Sequence, residues 1–327
     1  MPHFTKHPLP SCLRQAPADL IIRFLQVPAF LSGILTPSAY NKWLTNRSRI
    51  LLWRDQKRRK PYAASSTKAE YRSLIHDAVM RGGKSDPYTG DALDWTLIGE
   101  WKDTKELRDV FEKKFALMPT VDHTDPDALG FEICSMLVNF CKTDLRPEEF
   151  VGLCGKVVAF RTVPKPAMWK PINPDSRFKK FLLPPFLSGF MTVRAYNNWL
   201  DAKAHKLFVR DKKLGKAFAF SATQARYKEL IHAAAQNGQF DPYTGDALRW
   251  DLVGAYDNVS AHEKGDAYKR KFYLLPTVDH TDPEVLGLEI CSWLVNECKN
   301  FLNAEEFIAF CGRVAAYRAA DNRGRTG

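Results

Sequence analysis

The 327-residue sequence has no apolar run near the ~18 residues that a membrane span needs. It also lacks an apolar leader followed by a small-residue cleavage site. Both absences lead to the expectation of a cytoplasmic protein with no membrane partner. No Cys-x-x-Cys pair occurs among the seven cysteines, which argues against a structural zinc knuckle. A disulfide framework belongs to small secreted domains, and this chain is neither small nor signal-bearing. Apart from Cys12 the thiols fall into matching trios, Cys134, Cys141, Cys154 and Cys291, Cys298, Cys311, which read as buried free thiols. Acid is in short supply as well. Asp and Glu number 37 against 48 Lys and Arg, giving a net charge of +11 and a pI of about 9.2. Such a balance favours an anionic partner, for which nucleic acid is the usual candidate.

What is present is a duplication. Residues 117–142 read Leu-Met-Pro-Thr-Val-Asp-His-Thr-Asp-Pro and then Glu-Ile-Cys-Ser-Met-Leu-Val-Asn-Phe-Cys-Lys, and residues 274–299 repeat this pattern without an insertion. Much of the identity is polar: Asp122, His123, Asp125, Asn139 and Lys142 meet Asp279, His280, Asp282, Asn296 and Lys299. Packing tolerates swaps between similar hydrophobes, so polar identity within one chain points towards chemistry. A hydrophobic content of 45% with 26% charged residues is that of a globular protein, and the length suits two domains. The division expected is a Pro-rich arm over 1–17, a first repeat over 18–161, a stiff Pro-rich linker over 162–173, a second repeat over 174–318 and a tail over 319–327.

Each repeat offers a helix start at Thr36 or Thr192, with an apolar stripe of Tyr40, Trp43, Leu44 and Leu51 or Tyr196, Trp199, Leu200 and Leu207. The far half of this helix is basic. Arg47, Arg49, Arg54, Lys57, Arg58, Arg59 and Lys60 are offset only by Asp55; Lys203, Lys206, Arg210, Lys212, Lys213 and Lys216 are offset only by Asp211. One such run reads as a solvated face, whereas two at matching positions in a basic chain point to phosphate contacts, with Arg54, Lys57, Arg58, Arg59, Arg210, Lys212 and Lys213 as candidates. A second helix is expected over about 67–81 and 223–236, ended by Gly82 or Gly238, with His76 and His232 as core histidines. Asp86-Pro-Tyr-Thr-Gly and its copy from Asp241 give a turn. A stretch of unequal length, 99–105 against 254–264, reads as a surface loop. The central stretch reads as a strand over 115–121 broken by Pro119, a second strand over 131–134, and a helix capped by Ser135 that carries Asn139 and Lys142 on one face. A last helix is expected over about 147–160.

A hairpin ending in Asp122 and His123, opposite Asn139, gathers a carboxylate, an imidazole and an amide around one point. The oxygens suit Mg²⁺ or Mn²⁺, and the imidazole suits a general base for attack on a phosphodiester. Each unit resembles an HNH, or ββα-metal, nuclease in its Asp-His pair, second strand and helix bearing Asn-x-x-Lys followed by Leu-x-x-Glu-Glu-Phe. The resemblance implies an α+β, mostly helical chain of two tandem ββα-metal modules. It makes His123 and His280 the general bases, and Asp122, Asn139, Asp279 and Asn296 the metal ligands. Lys142 and Lys299 then lie near the phosphate. The family's middle asparagine falls on Gly130 and Gly287, where glycine is expected to shape the loop by backbone freedom. The resulting expectation is a site-specific, Mg²⁺- or Mn²⁺-dependent endonuclease on double-stranded DNA, of restriction or defence type, acting as a monomer with internal pseudo-two-fold symmetry. The competing readings are a non-catalytic DNA-binding protein on an HNH-like scaffold and a protein-interaction module with thiol-rich cores.

Overall fold

The computed structural model describes residues 25–98, 100, 113–162 and 180–325. The expected arm, Cys12 and nearly all of the linker lie outside them. Over the described residues the chain is α+β and mostly helical, with two two-stranded antiparallel sheets.

The first repeat opens with α1 (Pro37–Lys57). The Thr36 hydroxyl accepts from the Ala39 amide and Pro37 stands where no amide donor is needed. Tyr40, Trp43, Leu44 and Leu51 are buried along one stripe of this helix. Helix α2 (Lys68–Gly82) begins at a full capping box between Thr67 and Glu70. It runs through Gly82 and is closed by Gly83, one residue later than expected.

Strand β1 (Pro119–His123) then pairs with β2 (Phe131–Ser135), with Asp122 opposite Glu132 and His123 opposite Phe131. The strand expected from residue 115 begins instead at Pro119, a residue that has no amide proton to donate to a ladder and so suits a strand's first position. Ser135 caps α3 (Met136–Lys142), and α4 (Pro147–Thr162) follows with Glu148 and Glu149 in its first turn.

The second repeat keeps this order: α5 (Val193–Lys213), α6 (Ala217–Ser221), α7 (Gln224–Ala235), α8 (Asn258–Lys264), α9 (Asp266–Arg270), β3 (Pro276–Asp282), β4 (Val285–Ser292), α10 (Trp293–Lys299) and α11 (Ala304–Arg325). Among the described residues the short helices α6, α8 and α9 are additions to it. Two expectations change here. The stretch over 254–264 carries helix α8, started by the Asp257 carboxylate, which accepts from the Val259 and Ser260 amides. The tail expected from residue 319 is helical to Arg325, because α11 simply continues. The first copy's unequal stretch, apart from Glu100, lies outside the described residues.

Strand alternation decides how each hairpin is used. Val121, Phe131 and Ile133 pack with Tyr40, Trp43 and Tyr71 into one repeat's core, and Val278 and Ile290 do the same with Tyr196, Trp199 and Tyr227. The opposite face of the hairpin meets α3 or α10. A third core belongs to both repeats: Cys134, Val138, Phe150 and Cys154 pack with Cys291, Val295, Phe307 and Cys311. All six cysteines among the described residues are buried and free.

The contacts across this shared core come in reciprocal pairs. Arg270 meets Glu149 as Lys113 meets Glu306; Lys156 meets Asp246 as Arg313 meets Asp91. Arg161 lies over the Tyr243 ring as Arg318 lies over Tyr88. Gly245 and Gly90 both have positive φ and sit so close to Phe160 and Tyr317, respectively, that a Cβ would collide with the ring. This exchange of equivalent contacts is the signature of an isologous interface, here contained within one chain.

A histidine–carboxylate cleft at the hairpin tip

Because side chains alternate along β1, Asp122 and His123 leave the strand on opposite faces. Asp122 turns towards α3, where the buried Lys142 ammonium donates to its Oδ2 (2.7 Å) and to the His123 carbonyl (3.1 Å). Asn139, one turn earlier on the same helix face, donates from Nδ2 to the Thr120 hydroxyl (3.0 Å). The second repeat repeats the pair, with Lys299 donating to Asp279 (2.8 Å) and to the His280 carbonyl. Lys142 and Lys299, expected beside a phosphate, are thus buried and used to hold their own hairpins. Breaking such a buried pair costs about 3–5 kcal/mol, which makes them structural cations first.

His123 turns the other way, towards α1. Its Nε2–H donates to Asp55 Oδ2 (3.0 Å), which also accepts from the Tyr71 hydroxyl (2.9 Å). Burial pushes the Asp55 carboxyl up, but its bond to His123, that imidazole's charge, the Tyr71 hydroxyl and the Arg54 charge outweigh burial, and the net shift is downward. Asp55 is therefore an ionised acceptor. It follows that Nε2 carries the proton in this bond, which leaves Nδ1 as the nitrogen that can present a lone pair. Asp211, His280 and Tyr227 form the same triad, with distances of 3.0 and 2.9 Å.

The acid that offset each basic run is thus the partner of the histidine. Reading the run as a face of charge missed it, although one signal was there: a single carboxylate in the same place in both copies. Tyr71 and Tyr227 gave no polar signal, since tyrosine on a buried stripe reads as core.

His123, Asp122, Asn139 and Lys142 all line one cleft of about 570 Å³. Its far wall is α1, through Arg47, Arg54, Asp55 and Arg58, and its floor reaches Asp266, Lys269, Tyr273 and Trp293 of the second repeat. The arginines crowd one another. Burial, then the charge of Arg58, lowers the Arg54 guanidinium from its ordinary value, and burial, then Arg54, lowers Arg47. Arg54 Nε is buried with no hydrogen-bond partner among the described residues. In the second repeat Lys203 is lowered by burial and by Lys206, and Arg210 Nη2 donates to His280 Nδ1 (3.1 Å). Lys57, Arg58, Arg59, Lys212 and Lys213 are exposed at the ends of α1 and α5. Comparison with family models, curated proteins and solved structures finds no match to the chain.

Two hard oxygen donors, the Asp122 carboxylate and the Asn139 amide oxygen left free by the Thr120 bond, face one cleft. That donor chemistry fits Mg²⁺ or Mn²⁺, which accept one or two protein oxygens and keep several waters. Among the described residues no three His, Cys, Asp or Glu side chains are grouped to hold a metal ion. With Lys142 already neutralising Asp122 and arginines on the far wall, a second cation gains little until a phosphate arrives.

Behind the site lies a second carboxylate. Burial raises Glu132 to about 7, opposed by its hydrogen bond from Tyr88 and the charge of Lys142 and reinforced by Asp122 and Asp86. Glu289 is likewise raised to about 7, beside Tyr243. Gly130 also finds an explanation different from the expected backbone freedom: a Cβ there would stand 2.7 Å from the Thr124 hydroxyl, and at Gly287 2.5 Å from that of Thr281. Neither glycine has a positive φ. Space, not conformation, disfavours a side chain there.

His76 and His232 are half-buried and bonded through Nδ1 to Tyr40 and Tyr196.

Proposed function

We propose that the chain is an endonuclease acting on DNA, each repeat carrying one phosphodiester-cleaving site. The observation that carries this reading is the meeting, in one cleft, of a carboxylate-oriented histidine with crowded arginines, one of which has an unpartnered buried N–H. Like-charge crowding in a cleft is relieved by an anion, and a phosphodiester brings two unesterified oxygens suited to guanidinium forks.

In the proposed reaction Arg47, Arg54 and Arg58 hold the phosphate oxygens while His123 Nδ1 takes a proton from the attacking water. Asp55 fixes the ring and stabilises the imidazolium that forms. Lys142 keeps the strand end in place by holding both Asp122 and the His123 carbonyl. A Mg²⁺ or Mn²⁺ ion held by Asp122 and Asn139, or by Asp279 and Asn296, would supply charge stabilisation for the phosphate and leaving oxygen. The reciprocal interface supports action as a monomer with internal pseudo-two-fold symmetry on double-stranded DNA, one site to each strand. Recognition of a particular sequence, as in restriction or defence, is part of the same proposal.

The runner-up, a DNA-binding scaffold that does not cut, draws on the Lys142–Asp122 pair, which occupies a proposed metal ligand. One assay separates the two readings. Supercoiled plasmid incubated with Mg²⁺ or Mn²⁺ should be cut by the wild-type chain, be spared in EDTA, and be bound but spared by the variant with His123→Ala and His280→Ala. Binding without cutting by the wild type under every metal condition would favour the scaffold.

A further inference from the structure

We infer that Trp53 is a base-stacking contact that gives the first repeat a preference for unpaired or distorted nucleic acid. The inference rests on the nucleic-acid reading above but not on cleavage. Trp53 is 60% exposed on the outer face of α1, beside Ile50, which is 47% exposed. A large aromatic held in water on a helix this charged does nothing for the core. Its surroundings match a nucleic acid: Lys57 stands 5.1 Å from its ring, Arg49 lies one turn back, and neighbouring Ile50, Arg54 and Arg58 line the cleft that holds His123. Flanking cations take phosphates while the indole face takes a base, a combination that binds single strands with little regard to sequence. The second repeat shows that the fold does not need the ring, because α5 has the same length and buried stripe with Val209 at the equivalent position. Lys206 likewise replaces Ile50 there.

The test measures binding in EDTA, so that cutting plays no part, to a mixed-sequence single strand and to the duplex of the same sequence. Trp53→Val should weaken single-strand binding about 10-fold, within the range for losing one stacked base, and duplex binding far less. Trp53→Phe should retain most of the affinity. The salt dependence should keep its slope, because no cation has been removed. Val209→Trp should strengthen single-strand binding. Equal losses on both substrates, or none on either, would overturn the inference, as would a change of sedimentation in Trp53→Val, which would make the ring a contact between copies. Cleavage retained by the double histidine variant would end the nuclease reading and leave this one standing; plasmid cleavage together with unchanged single-strand affinity in Trp53→Val would do the reverse. An exposed position leaves the fold intact, which circular dichroism and an unchanged melting temperature verify.

Discussion

The two repeats hold the same polar frame and differ in the cation that attends it. Asp55, Tyr71 and His123 superimpose in role on Asp211, Tyr227 and His280, and Lys142 on Lys299. Yet Arg210 donates to His280 Nδ1, whereas Arg54 keeps a buried N–H without a partner among the described residues. A frame of buried charges is costly to alter one member at a time, so it persists through duplication. An arginine on the cleft wall lies outside that frame, and it is there that the two repeats differ.

The largest difference expected between the repeats is in cleavage. On the proposed nuclease reading, either single variant, His123→Ala or His280→Ala, should turn plasmid linearisation into nicking, with the lost strand's rate down about 100-fold or more. The two nicking rates should differ. His280→Ala leaves the first repeat's proposed base, whose Nδ1 has no hydrogen-bond partner among the described residues, and should nick about 10-fold faster than His123→Ala, which leaves a histidine that Arg210 must first release; a hydrogen bond involving a charge is worth about 1.5–3 kcal/mol. Equal rates would remove the distinction between the repeats. Full linearisation by both single variants at low protein concentration would remove the division between strands.

Next in size are the buried lysines, where the repeats should agree. Lys142→Met and Lys299→Met each leave a carboxylate buried without its partner and should each lower unfolding stability by about 3–5 kcal/mol in urea titrations. Adding Asp122→Asn to the former, or Asp279→Asn to the latter, should recover most of the loss. Failure of that recovery would show that the lysine acts through its bond to the histidine carbonyl instead.

The buried glutamates sharpen the agreement through pH. Glu132 and Glu289 move from an ordinary 4.5 to about 7, so between those values the folded chain binds more protons than the unfolded chain. Stability should therefore fall as pH rises through that window, by about 1.4 kcal/mol per pH unit for each group, and level off above 7. Glu132→Gln should halve the slope. Asp55 and Asp211 run the other way: their carboxyls are depressed, so their contribution is complete above the ordinary carboxylate range and fades as pH drops through the folded value. Unfolding midpoints measured from about pH 2 to about pH 8, with and without Glu132→Gln and, separately, Asp55→Asn, check both signs.

The smallest effect is expected at the loop glycines. Gly130→Ala and Gly287→Ala force a threonine hydroxyl aside and should cost about 1 kcal/mol each. The second should cost slightly more, since its clash is closer. Pairing each with Thr124→Ala or Thr281→Ala should restore stability; no recovery would mean that something other than contact with the hydroxyl sets the residue.

By itself the sequence determined the duplication, the helix starts at Thr36, Thr67, Ser135 and their copies, the Asp86 turn, and a hairpin ending in Asp-His before a helix with Asn139 and Lys142. These rest on caps, turns and periodicities that act over a few residues and are written in consecutive positions. Tertiary structure alone decided what each charge would meet. Asp55 reaches His123 across 68 residues, Lys142 turns inward to Asp122, and Lys60 meets Asp266 of the other repeat. It also turned cysteines from separate repeats into one shared core and laid second-repeat side chains against the first cleft. The reason is physical: a local pattern shows which face of an element is apolar, but the partner of a buried charge is chosen by desolvation and close approach, which exist only once the chain has folded.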